Sequence, residues 1–219
     1  MAKIVGIIQT KGGAGRSTFA TNLAAIFSFR DPTTLIDCDM PQGTSSSWYA
    51  LRQAEVPSQN LFLAQARNHI DLIQKAKEFA GQSRYLVIDG PPRLAEMTRA
   101  IMILSDLCLV PLGASAAEIW STSDLLQTLE EARSYKPEVD ARLVWTRFRG
   151  YTREAQDLKE AVERELKLEQ LHSRLGYRVA FSEALARGLS AEECSDPNAR
   201  SEIHGLAGEV KRILAEKKR

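Results

Sequence analysis

Eight consecutive residues near the start of the chain, Lys11-Gly12-Gly13-Ala14-Gly15-Arg16-Ser17-Thr18, have the makings of an anion site. The glycines let main-chain N–H groups curl around phosphate oxygens without interference from Cβ atoms. An apolar run over 4–8 precedes the turn and a segment of helical period follows it, so the turn joins a strand to a helix. That helix adds its unpaired N–H groups and the positive end of its dipole at the same point. Ser17 stands where a hydroxyl can ligate Mg²⁺ beside a bound phosphate. Arg16 supplies a planar, forked cation that can neutralise phosphate charge bidentately.

Carboxylates follow two other apolar runs. Leu35-Ile36-Asp37-Cys38-Asp39-Met40-Pro41-Gln42-Gly43 ends one of them with two acidic side chains. That pair suits Mg²⁺ ligation and the positioning of an attacking water. Its alternative use is to cap a helix over 42–54. The other run, Tyr85-Leu86-Val87-Ile88-Asp89, leads into Gly90-Pro91-Pro92. Four apolar residues and then Asp describe a buried strand delivering one carboxylate to a metal shell.

The elements that must position these loops are short strands alternating with longer helices. Strands are expected over 3–8, 33–37, 61–64, 84–89, 106–111, 141–146 and 177–181. Most are continuously apolar, as strands buried on both faces are. Phe19, Leu23, Ile26 and Phe27 repeat at helical spacing, and helices are also expected over 119–133, 153–171 and 198–217. The pattern predicts an α/β fold of three layers, a mostly parallel central sheet with helices on both faces. Ligands in such sheets bind beyond the carboxyl ends of the strands, which is where the glycine turn and the carboxylates fall.

Length and composition agree. The chain has 219 residues, 44% hydrophobic and 26% charged, with a net charge of +1; this fits one domain over 1–219. Cys38, Cys108 and Cys194 are scattered, which argues against a disulfide framework and points to a reducing, cytoplasmic setting. The apolar stretch at 4–8 is too short for a signal peptide or a membrane span.

The turn at 11–18 resembles the deviant Walker A motif, KGGxGKS/T, of the ParA/MinD family of P-loop ATPases. The resemblance implies ATP and Mg²⁺ as ligands. It also implies that Lys11 reaches across a homodimer interface to the partner's nucleotide. Asp37-Cys38-Asp39 with Pro41-Gln42-Gly43 is similar to the family's DxDPQG switch I, and Asp89-Gly90-Pro91-Pro92 to its Walker B and switch II. Carried over, Lys11, Asp39 and Arg16 are catalytic, and Ser17, Asp37 and Asp89 hold the metal. Gly12, Gly13, Ala14, Gly15, Arg16, Ser17 and Thr18 bind nucleotide phosphates, while Pro111, Thr146 and Arg147 lie by the base. Phe181-Ser182-Glu183-Ala184 with Gly188 resembles the family's SEAxxxG segment. Two departures stand out. Met40 is an extra residue in switch I, and Arg16 occupies the position of the usual lysine. Arg for Lys is not conservative. The expectation is nucleotide binding with slow hydrolysis, the alternative being a substitution without consequence.

The early first strand leaves no room for a helix-turn-helix, as in the small plasmid-partition ParA proteins. The family's cycle then implies that ATP drives dimerisation, the dimer binds nonspecific DNA on the nucleoid, and a ParB-like centromere-binding or adaptor protein triggers hydrolysis. The alternatives are a nucleotide-locked switch and a positioning protein for a cargo other than DNA. Arg149, Arg178, Lys211 and Arg212, drawn from basic clusters at 142–153, 172–178 and 211–219, are the candidate DNA contacts; the alternative is a solvated helix face. Ile203, Leu206, Val210, Ile213 and Leu214 line one face of the last helix. Packing onto the sheet is expected of that face, in preference to lying on a membrane.

Overall fold

The structure, a computed structural model, describes residues 2–93, 95–113, 116–148, 160, 162, 164 and 166–217, without the side chains of 116–121 and 123. Among the described residues, seven strands form one sheet: β1 (Lys3–Ile7), β2 (Thr33–Asp37), β3 (Leu61–Gln65), β4 (Tyr85–Asp89), β5 (Leu107–Gly113), β6 (Ala141–Thr146) and β7 (Glu169–Gln170). Their order is β3-β2-β4-β1-β5-β6-β7, and every pairing is parallel. The helices are α1 (Arg16–Ser28), α2 (Thr44–Glu55), α3 (His69–Ala80), α4 (Ala95–Leu104), α5 (Ala116–Tyr135), α6 (Val179–Ala186) and α7 (Pro197–Glu216), with a 3₁₀ turn at Ala191–Glu193.

Each central strand buries both faces, which is why the strands read as continuous apolar runs. Val5, Leu35, Val87 and Leu109 face a core shared with α1, Trp48 of α2 and the apolar stripe of α7. Ile36, Ile88, Cys108 and Val110 face the opposite core, with Met97 and Ile101 of α4 and Leu125 and Leu129 of α5. Three layers result, as the alternating pattern predicts. The stripe Ile203, Leu206, Val210, Ile213 and Leu214 is buried in the first core, so the sheet rather than a membrane covers it. No helix among the described residues is long and apolar enough to cross a membrane.

The strand expected over 177–181 is a helix start instead. From Val179 onward, Ala180, Phe181 and Ala184 recur at helical spacing and are buried, the first two in one cluster with Phe19 and Leu23 of α1. The seventh strand, Glu169–Gln170, takes the end of the segment 153–171 expected as a helix; residues 160, 162, 164 and 166 of that segment are helical, and 153–159, 161, 163 and 165 lie outside the described residues. This strand is two polar residues long, pairs with Arg142 and Leu143, and is pinned by Trp145 Nε1 donating to Gln170 Oε1 at 2.9 Å.

Candidate nucleotide site

Parallel register brings three strand ends side by side. Asp89, the last residue of β4, pairs with Ile7 of β1 on one side and Asp37 of β2 on the other. The glycine turn leaves β1 at this point and enters α1. Gly15 caps that helix at φ 94°, a left-handed conformation that costs a residue with a side chain about 1–2 kcal/mol. The first turn of α1 carries no acidic residue. The main-chain N–H groups of Gly12, Gly13, Ala14 and Gly15 make no hydrogen bond among the described residues, although Ala14 is buried. Unpartnered amides on a loop leading into a helix N-terminus form a cradle for anionic oxygens.

The two strand-end carboxylates differ in what surrounds them. Asp37 is spent on the start of α2: Oδ2 accepts from the Ser46 N–H at 2.8 Å and the Ser46 hydroxyl at 2.7 Å, and Oδ1 accepts from the Asp39 N–H at 3.0 Å. It holds the switch I helix, in line with the capping alternative. Asp89 is fully buried and uses one oxygen only, with the Ser45 hydroxyl donating to Oδ2 at 2.7 Å. Its Oδ1 is buried without a hydrogen bond. Burial pushes the Asp89 carboxyl up to about 7, against the pull of the Ser45 and Ser17 hydroxyls, while Asp37 raises it further. A bare carboxylate oxygen beside Ser17 is what an incoming divalent cation needs. Mg²⁺ takes only one or two such protein ligands and completes its shell with phosphates and water. The residues therefore fit a magnesium–nucleotide pair, in which Asp89 and Ser17 would hold the metal and Asp37 would act through α2.

Arg16 lies beneath the turn, 6% exposed. Its Nε donates to the Gly90 carbonyl at 2.7 Å, and its Nη1 donates to the carbonyls of Gln9 at 2.8 Å and Lys11 at 2.6 Å. Nη2 stands 3.8 Å from Asp39 Oδ2. Burial lowers the guanidinium's pKa, with Asp89 and Asp39 pulling the other way. Burial likewise raises Asp39, against the influence of Arg16. Lys11 is half-buried at the opening of the turn, and Met40 joins Pro41 by a cis peptide bond.

Beside the turn lies a cavity of about 280 Å³, lined by Gly13, Gly15, Thr18, Thr146, Phe181 and Leu185 among others. Arg147 also lines it and has φ 52°, a conformation carrying roughly 1 kcal/mol or more of backbone strain. Thr146 and Arg147, expected beside the base, both line this cavity. Pro111 is not on this wall. β5 runs two residues past it to Gly113, so it pairs with Val144 inside the strand, and its carbonyl accepts from Gln9 Nε2 at 3.1 Å.

The candidate DNA contacts do not converge. Arg149 lies outside the described residues. Arg178 is at the cavity wall, held by Glu202 Oε1 at 2.7 Å and near Asp196. Lys211 lies over the rings of Phe27 and Tyr85 with Asp31 at 3.8 Å, by the first residue of β4 and so at the other end of the strands. Arg212 is exposed and makes no ion pair among the described residues.

Several residues that hold the site escaped sequence reasoning. Ser45 and Ser46 read only as the polar start of a helix. Arg52, 1% exposed on α2, forms a bidentate pair with Glu193 at 2.8 and 3.1 Å and donates to the Gly188 carbonyl at 3.2 Å. Asn22 of α1 accepts from the Ala191 N–H at 2.7 Å. Together they tie the switch I helix and the phosphate helix to the loop that follows α6. Nothing local in the sequence marks contacts spanning 141 and 169 positions.

A fully parallel P-loop sheet with this turn and these strand-end carboxylates defines a nucleotide-binding protein. The chain belongs to the CobQ/CobB/MinD/ParA nucleotide binding domain family, whose model matches residues 5–191. It is 27% identical over 207 residues to the Maintenance of carboxysome distribution protein A of Halothiobacillus neapolitanus, covering 93% of this chain and 94% of that one. It is 26% identical over 167 residues to the Chromosome partitioning protein ParA of Myxococcus xanthus, covering 59% of each. Among solved structures, an ATP complex of a McdA variant from Cyanothece superposes with a TM-score of 0.79 at 18% identity, covering 100% of this chain and 98% of that one; this likeness speaks for the fold.

Proposed function

We propose that this chain is a ParA-type ATPase that binds MgATP as a sandwich dimer and uses the cycle to position a cargo over nonspecific DNA. The unpartnered amides of Gly12–Gly15 beside the bare Oδ1 of Asp89 carry the reading. In it, the turn and Thr18 hold the phosphates, and Thr146 and Arg147 flank the base. Lys11 serves the opposite subunit's nucleotide, and Asp39 orients the attacking water. Mg²⁺, when bound at Asp89 and Ser17, neutralises charge on the phosphate oxygens. Turnover is slow without a partner protein, because Arg16 is committed to main-chain carbonyls. Arg212 is the exposed cation best suited to a DNA phosphate.

The cargo is a protein assembly rather than a replicon. The match to a carboxysome distribution protein spans nearly the whole of both chains, while the match to a partitioning protein spans 59% of each. DNA partition is the second reading, supported by that latter similarity. Deletion of the gene discriminates: clumping of a cytoplasmic assembly with unchanged plasmid and chromosome inheritance fits the first, and raised plasmid loss fits the second. The site itself is tested by sizing chromatography with light scattering in ADP, ATP and a slowly hydrolysed analogue. The wild type should double its mass with the triphosphates only, and Lys11→Ala should stay monomeric while still binding nucleotide. A wild type indifferent to nucleotide, or a Lys11→Ala chain that dimerises normally, refutes the reading.

A further inference from the structure

A guanidinium has five N–H groups in one plane, and three of those on Arg16 are committed to the carbonyls of Gln9, Lys11 and Gly90. These carbonyls come from the approach to the phosphate turn, from the turn's first residue and from the residue after Asp89. Fixing Nε and Nη1 fixes the plane, so the position of Nη2 is set by main chain. Nη2 makes no hydrogen bond among the described residues; the carboxylate in ion-pair contact with it there is Asp39 at 3.8 Å, while Asp89 acts on the guanidinium from farther away. That distance is ion-pair contact without a hydrogen bond, an arrangement a stronger acceptor can displace. A lysine at this position has a single nitrogen. Held by the Gln9 and Lys11 carbonyls, it would have no second arm extended toward switch I.

We propose that Asp39 and the terminal phosphate of a nucleoside triphosphate are alternative partners of Arg16 Nη2, so that Arg16 makes Asp39 a competitor for the γ-phosphate and a sensor of its presence. The inference rests on the nucleotide-site reading above. A γ-phosphate carries more charge than a carboxylate and offers three acceptor oxygens, so it wins the nitrogen when present and releases Asp39 from the cation. A diphosphate has no group there, and Asp39 keeps its partner. The exchange gives the chain a bias toward the diphosphate or empty state that a lysine-bearing relative lacks. It also delivers Asp39 to its water-orienting place only when there is a phosphate to attack.

Equilibrium binding of fluorescent ATP and ADP analogues, with EDTA present to remove any metal contribution, reads the exchange without turnover. Asp39→Asn removes the competitor and should tighten ATP binding roughly fivefold, as loss of a partly exposed ion pair allows, with a smaller gain for ADP. In the Arg16→Lys background the same substitution should gain less than twofold. An equal gain in both backgrounds shows only the loss of a nearby negative charge and overturns the proposal, as does no gain at all. Should Arg16→Lys fail to fold, the ATP-over-ADP difference in Asp39→Asn alone decides, and equal gains for both nucleotides overturn it. A wild type that binds neither nucleotide, with magnesium restored as well as in EDTA, overturns the site reading itself, whereas a wild type that binds both without the stated gains overturns the exchange alone.

Discussion

Replacing Glu193 by Ala should destabilise the protein by about 3 kcal/mol, and the figure follows from what the carboxylate holds. It accepts two hydrogen bonds from Arg52, at 2.8 and 3.1 Å, and two from Ser190, at 2.8 Å from the N–H and 2.9 Å from the hydroxyl. The Arg52 side chain is 2% exposed and its Nε already lacks a partner. Truncation strands a buried cation, which typically costs about 3–5 kcal/mol, and orphans a buried N–H worth about 1 kcal/mol more. The Glu193 side chain is 21% exposed, so water can enter and the lower end applies. Against a total stability of about 5–15 kcal/mol this is a large loss. Urea unfolding followed by far-UV circular dichroism measures it. Burial alone would raise the Glu193 pKa, but Arg52 and Ser190 hold it below its ordinary value. A depressed acid pKa stabilises the fold above the ordinary value and ceases to do so as pH falls through the folded one. The gap between wild type and variant should therefore narrow below about pH 4. Arg52→Met combined with Glu193→Leu should cost less than Glu193→Ala alone, because it removes the stranded charge. A single-variant loss under 1 kcal/mol, or a double variant weaker than the single, refutes the assignment of this pair as the tie between α2 and the loop after α6.

Two other perturbations probe the same framework. The Asp89 carboxyl has a folded pKa of about 7 against an ordinary 3.8. The native state thus holds a proton the unfolded chain has lost, and metal-free stability should fall as pH rises from about 4 to 7 and level off above. Urea midpoints in EDTA across pH 5–8 should show this slope in the wild type and lose it in Asp89→Asn; parallel slopes contradict it. Gly188 has φ 68°, and a Cβ there would stand 2.4 Å from the Arg52 amide nitrogen. Gly188→Ala should therefore cost about 3 kcal/mol or more, from strain and clash together. A loss below 1 kcal/mol by the same unfolding assay would show that the backbone contact is not as close as described.

What was legible in the sequence follows from how local each feature is. The phosphate turn, β1, β4 and Asp89 are contiguous segments whose chemistry and period both lie within a dozen residues, and they appear where the pattern places them. Residues 177–181 misled because Tyr177, Val179 and Phe181 alternate like a strand; burial of Ala180 and Phe181 against α1 decides for helix. β7 has no signal at all, being two polar residues kept in the sheet by β6. Asp37 and Asp89 are equivalent in sequence, each ending an apolar strand. They separate only when Ser46 and the Asp39 N–H fill the oxygens of one and Oδ1 of the other is left bare. Lys211 reads as a free cation until Phe27 and Tyr85 are found beneath it. Arg16 combines both cases. The residue type alone marks a departure at the phosphate turn. Which of its nitrogens is left to act depends on Gly90, 74 positions away, whose carbonyl fixes the plane of the guanidinium. Local chemistry therefore tells where the anion goes, and the distant carbonyl determines that Nη2 is the arm left for Asp39 or a phosphate to claim.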